Sequence, residues 1–134
     1  MLKAVFNTNI IVSSFLSEHG FSHKNVEMAI EGKIANYTSP DMLKELSKVL
    51  REGIKFSEED VKNSVGFVLG YSIPVNPAQK VDAVKDDPKD NIVIECALAC
   101  NADYIVSGDR HLFDLKQYRG IKIVKPADFF KIIS

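Results

Sequence analysis

Residues 87–109, DPKDNIVIECALACNADYIVSGD, spell out a helix, a strand and an acidic turn in unbroken succession. Asp87-Pro88 opens the helix in a favoured way, with Asp87 as its cap and Asp90 in its first turn. IVIECALAC carries it to about Cys100, and so many apolar residues mark this helix as central in the core. Asn101-Ala102-Asp103 ends it, and Tyr104–Val106 follows as a short buried strand. Ser107-Gly108-Asp109 then turns into a short helix reaching about Leu115. One acid thus opens a helix and another directly follows a strand.

The same grammar governs the other end of the chain. In LKAVFNTNIIVS, residues 2–13, an apolar strand from Leu2 to Phe6 meets the polar turn Asn7-Thr8-Asn9 and then a helix, Ile10–Leu16. Ser22 is the expected cap of a second helix through Ile30, stopped near Gly32. Ile34–Thr38 reads as a strand. Ser39-Pro40 opens a helix with Leu43, Leu46, Val49 and Leu50 at helical spacing. Ser57 with Asp60 resembles a capping box for the next helix, which runs towards Gly70 with Val61, Val65, Val68 and Leu69 inward. Tyr71–Val75 is extended, and residues 76–86 form a polar loop with Asp82 and Asp86 in it. Ile121–Val124 is the last strand, and Pro126 begins a terminal helix ending near Ile133.

Strands alternating with helices predict α/β architecture with a central, mainly parallel sheet covered on both faces. We read residues 1–134 as one domain, since this length suits a single core and shows no repeat or linker. Functional residues in such sheets gather at the carboxyl ends of strands, where the strand order reverses. Asn7 and Asp109 follow two strands at equivalent places and are expected to be neighbours. Asp90, at a helix start, and Glu45, on a helix, can point into the same crevice.

Composition narrows the function. Seventeen basic and 18 acidic residues leave a net charge of −1, so a polyanionic partner needs a local basic patch or a bound cation. No apolar run approaches the ~18 residues that span a bilayer. MLKAVF lacks the apolar core and cleavage site of a signal peptide, and we expect a cytoplasmic protein with no membrane association. Cys96 and Cys100 share one helical face and read as small core residues, with no third soft ligand nearby. His19, His23 and His111 lack metal-ligand spacing and read as solvated surface groups.

Asn7, Glu45, Asp90 and Asp109 together suggest a distinct chemistry. Carboxylates within a few ångströms cannot all ionise without a counter-charge, because each raises the pKa of the next. A divalent cation removes the conflict, and oxygen-only ligands favour magnesium or manganese (Mg²⁺ or Mn²⁺) over zinc or copper. Such a site suits hydrolysis of a phosphodiester. Taken singly, each acid has a plainer reading: Glu45 as a solvated charge, Asp90 as a helix-dipole acid, Asp87 and Asp109 as caps. Taken in this order, they read as a metal site.

FNTNIIVSSFL, SPDMLKELSKVL, the 87–113 stretch and IKIVKPADFF together resemble a PIN domain, nearly end to end. More narrowly, the chain resembles the toxin components of toxin–antitoxin systems. The resemblance implies a Rossmann-like three-layer α/β/α fold and Mg²⁺- or Mn²⁺-dependent endoribonuclease activity on single-stranded RNA. It further implies homodimers and a small antitoxin protein as partner. By position, the family's four acids fall on Asn7, Glu45, Asp90 and Asp109, and its hydroxyl positions near the metal on Thr8 and Ser107. Two positions depart from the pattern: Asn7 is an amide where the family has aspartate, and His111 stands where related sequences often have another acid. An amide brings no negative charge and cannot act as a base, so a catalytically inactive RNA- or protein-binding module is the alternative. Nucleases acting on DNA or flap structures also occur among PIN relatives. Lys44, Lys48, Arg51 and Arg110 are the basic residues that can line an RNA groove.

Overall fold

Ala4, Val5 and Phe6 are all fully buried in the first strand, β1 (Lys3–Phe6), which therefore needs cover on both of its faces. Side chains alternate across a strand, so Ala4 and Phe6 enter one apolar cluster and Val5 enters another. The computed structural model describes residues 1–84 and 87–134. After β1 come α1 (Thr8–Leu16), α2 (Phe21–Ile30), β2 (Ala35–Thr38), α3 (Pro40–Lys48), a π-helical turn (Val49–Gly53), α4 (Glu58–Gly70) and β3 (Ser72–Pro74). The second half holds α5 (Lys89–Cys100), β4 (Tyr104–Val106), α6 (Arg110–Phe113), β5 (Gln117–Tyr118), β6 (Ile121–Val124) and α7 (Pro126–Ile133).

The strands form one sheet in the order β3-β2-β1-β4-β6-β5, parallel throughout except for β5 against β6. Helices cover both faces, giving the expected three-layer α/β/α fold. On one face Phe6 packs with Ile10, Val26, Val68 and Phe129, from α1, α2, α4 and α7. On the other, Val5 and Ile105 pack against Ile94 of α5 and Leu112 of α6. The strand order turns at β1: β2 and β3 lie to one side, β4 and β6 to the other. Phe6 is registered against Val106 across that boundary, so β1 and β4 end level with each other.

Several boundaries differ from the sequence reading, each for a local reason. Asn7-Thr8-Asn9 is not a free turn; Asn7 caps α1, its side chain accepting the Thr8 N–H, and the helix starts at Thr8. The backbone of Gly20 occupies the cap position of α2 without a side-chain bond, so Ser22 lies inside the helix. Ser39 and Ser57 cap α3 and α4 as expected, accepting from Met42 and Asp60. Leu69 is 41% exposed rather than inward, because α4 buries only the stripe through Val61 and Val68. Pro88, rather than Asp87, holds the cap position of α5, although Asp87 Oδ1 still accepts the Lys89 N–H at 3.3 Å. Asn101 ends α5 in the left-handed conformation, φ 54°. His23 is half-buried, 3.1 Å from the Ser14 carbonyl and 3.2 Å from Glu27, and so links α1 to α2. The π-helical turn and the two-residue β5 have no counterpart in the sequence pattern, and Asp86 of the expected loop lies outside the described residues. Among the described residues, no helix is long and apolar enough to cross a membrane.

The fully buried Phe129 ring meets Phe6 and Tyr104 edge-on, with centroids 6.2 and 5.6 Å away. Phe129→Ala should therefore destabilise the fold by about 3–5 kcal/mol in urea titrations followed by circular dichroism. Ile132→Ala, at a side chain 46% exposed, should stay within about 0.5 kcal/mol of the parent.

Candidate metal centre

The parallel ladder delivers both loops of the site to one level. The Asn7 N–H donates to the Val106 carbonyl at 2.9 Å, and the Ser107 N–H donates to that of Val124 at 3.0 Å. Beyond these bonds the chain leaves the sheet. Ser107 is fully buried and its Oγ accepts two hydrogen bonds of 2.9 Å, from Asn7 Nδ2 and from the Asp109 N–H. One hydroxyl thus ties the loop after β1 to the loop after β4.

The orientation of the Asn7 amide follows from its partners. Only the carbonyl oxygen can accept the Thr8 N–H, at 2.8 Å, so the amide nitrogen must face Ser107. Asn7 is buried and turns a donor, not an acceptor, towards Asp90. An aspartate in the same rotamer would present a second carboxylate oxygen there.

Asp87, Asp90 and Asp109 each bring one carboxylate oxygen into a group lying within 4.8 Å of one another. Asp90 is held in the first turn of α5 and is 4% exposed. Its Oδ2 is buried without a hydrogen-bond partner, a costly state for a carboxylate oxygen. Asp109 caps α6, accepting the His111 N–H at 2.8 Å. Burial, then the neighbouring charges of Asp109 and Asp87, push the Asp90 carboxyl up to about 7; the Asn7 amide pulls the other way. A buried carboxylate oxygen with no partner, facing two further carboxylates, fits a hard divalent cation.

Of the residues singled out in the sequence, Asn7, Thr8, Glu45, Asp90 and Asp109 all line one cleft of about 350 Å³. Ser107 lies beneath it as the tie between loops. Glu45 stands apart from the aspartate trio, its carboxylate 3.8 Å from Lys89 Nζ. Asp87 and Lys89 are the additions. The sequence reads Asp87 as a cap, and the DPKD run, which places two acids one turn apart at a helix start, is the signal for its second role. Cys96 is a buried thiol pushed up to about 12 by its apolar surroundings, consistent with a core role for both cysteines. Arg51 pairs with Glu58, and Arg110 lies 3.9 Å from Asp114, so each has a local acidic partner.

The chain thus sets an acidic cleft at the carboxyl ends of β1 and β4 in a three-layer α/β/α fold of Rossmann-like topology. Residues 3–111 match the family described as PIN domain, and the chain belongs to that family. An uncharacterised protein of Methanocaldococcus jannaschii is 32% identical over 120 residues, covering 86% of this chain and 76% of that protein. Among solved structures, VapBC2 from Rickettsia felis, crystallised with a DNA fragment from its promoter, matches with a TM-score of 0.67. That match covers 92% of this chain and 98% of the other at 15% identity, and it speaks for the fold.

The Asp90 shift sets a stability test. Its folded-state pKa, about 7, lies above the ordinary 3.8, so ionisation is disfavoured by folding. The penalty is absent below pH 4, grows as pH rises towards 7 and is complete above it. In EDTA at pH 8, Asp90→Asn should melt several degrees above the parent, with the gap closing at pH 4. Added Mn²⁺ should reverse the order. A variant no more stable than the parent in EDTA at pH 8 would refute the crowding.

Proposed function

We propose that this chain, acting as one domain, is a toxin-type PIN endoribonuclease that hydrolyses phosphodiester bonds of single-stranded RNA with Mg²⁺ or Mn²⁺. The observation that carries this reading is the partnerless buried oxygen of Asp90 beside Asp87 and Asp109. Those three aspartates would hold the cation. When bound, it supplies charge neutralisation for the phosphate and activation of water. The protein's own residues prepare the setting. Ser107 holds the loops of Asn7 and Asp109 together, and Thr8 lines the cleft wall. Glu45 and Lys89 form an ion pair at the cleft, and Lys89 offers a cation to the RNA backbone.

A small antitoxin protein is the partner we infer, supported by the likeness to the VapBC2 structure; a homodimer and a cytoplasmic setting are inferred from the family resemblance alone. A second reading, a catalytically inactive RNA- or protein-binding module, is favoured by one specific observation. The Asn7 amide turns its nitrogen to the acids and so adds a donor where a fourth carboxylate would add charge.

RNA cleavage with added Mn²⁺ separates the two. Asn7→Asp should raise the rate by about ten- to a hundredfold, and Asp109→Ala in that background should abolish it, as should EDTA. If neither the parent nor Asn7→Asp cleaves RNA or binds metal, the nuclease reading fails. RNA binding indifferent to both EDTA and Asp109→Ala would support the binding module.

A further inference from the structure

Asp87 reaches the trio from outside α5, on the segment that joins β3 to that helix. On that segment, backbone polar groups of Val81, Ala83 and Val84 are satisfied by two side chains of α5. Asn91, 6% exposed, accepts the N–H groups of Ala83 and Val84 through Oδ1, at 3.0 and 2.9 Å. Its Nδ2 donates to the Val84 carbonyl at 3.0 Å. One turn further on, Glu95 Oε2 accepts the Val81 N–H at 3.0 Å. Lys80 Nζ lies 3.8 Å from both Glu95 and Asp41, adding an exposed tie from the same segment to α3. Positions 91 and 95 share a helical face, so the two side chains form a row of stitches. Val84 itself is buried against the apolar side of α5.

The pattern is specific to asparagine. Two N–H groups and one carbonyl are matched by an amide's oxygen and nitrogen; an aspartate would set its oxygens against the carbonyl, and an apolar residue would leave all three groups unpaired. The stitch also sits in a particular place. Asn91 is adjacent to Asp90, and Val84 is three residues from Asp87, at most ~10 Å of extended chain. The same turn of α5 thus presents one carboxylate and anchors the chain that presents another.

We propose that Asn91 is a positioning residue of the metal centre: by latching residues 83–84 onto α5, it sets where Asp87 stands beside Asp90 and Asp109. The cation's affinity then depends on an amide that never touches the cation. This rests on the metal-centre reading above.

The test titrates Mn²⁺ by calorimetry into the full chain, Asn91→Ala, Asp87→Asn and the double variant. Asn91→Ala should weaken Mn²⁺ about tenfold, close to the loss from Asp87→Asn. The double variant should bind no more weakly than Asp87→Asn alone. Affinity within twofold of the parent, or losses that multiply in the double variant, would overturn the latch, because a merely structural residue lowers the melting temperature without sharing its effect with Asp87. A second readout needs no metal. In amide exchange, Asn91→Ala should accelerate Ala83, Val84 and Lys89, whose N–H reaches Asp87, while the middle of α5 stays protected. If the parent takes up no Mn²⁺, the metal-centre reading fails, and unchanged exchange at Lys89 still decides against the latch. Should Asn91→Ala not fold, Asn91→Ser, too short to span to Val84, carries the same expectations.

Discussion

Phe6 and Val106 face each other in adjacent parallel strands, and the candidate site hangs from that pairing. Because β1 and β4 end level, Asn7 and Ser107 emerge side by side and hydrogen-bond through their side chains. Ser107 passes the constraint on to Asp109 by accepting its backbone N–H. The helix α5, packed on β1 through the cluster containing Val5 and Ile94, brings Asp90 to the same level. A slip of one residue in either strand would turn Phe6 or Val106 out of its core and carry the acids away from one another. Core packing and site geometry are therefore held by one register.

What the register assembles is electrostatically unfavourable by itself. Three aspartates converge, and one of them is buried with a partnerless oxygen. Lys89, which lines the cleft, is paired with Glu45. Asn7 removes one negative charge from this crowd and adds a donor beside Asp90, which eases the metal-free fold. The same substitution weakens the case for catalysis, since a hard cation gains from every anionic ligand. Stability without metal and affinity for metal thus pull residue 7 in opposite directions.

Much of this was legible in the residues. Period and capping locate β1, α3, α4, β4 and α7, and the topology rule for parallel sheets makes Asn7 and Asp109 neighbours from sequence alone. Other features carried no local signal. A two-residue β5 has no periodicity to detect and exists because Gln117 and Tyr118 pair with β6. Asp87 satisfied a cap reading so well that its second role, beside Asp90 and Asp109, could be seen only in three dimensions. Asn91 lies in the first turn of α5, yet it bonds to backbone seven and eight residues upstream.

The sequence by itself determined the class of fold, the chemistry of the candidate ligands and the oddity at residue 7. These depend on residue type and spacing along the chain, which a linear reading captures. Tertiary structure decided which acids meet, that Glu45 pairs with Lys89 outside the trio, and which end of the Asn7 amide faces them. Those outcomes depend on hydrogen bonds and charges between segments remote in sequence, and only the closed sheet with its packed helices brings them within reach.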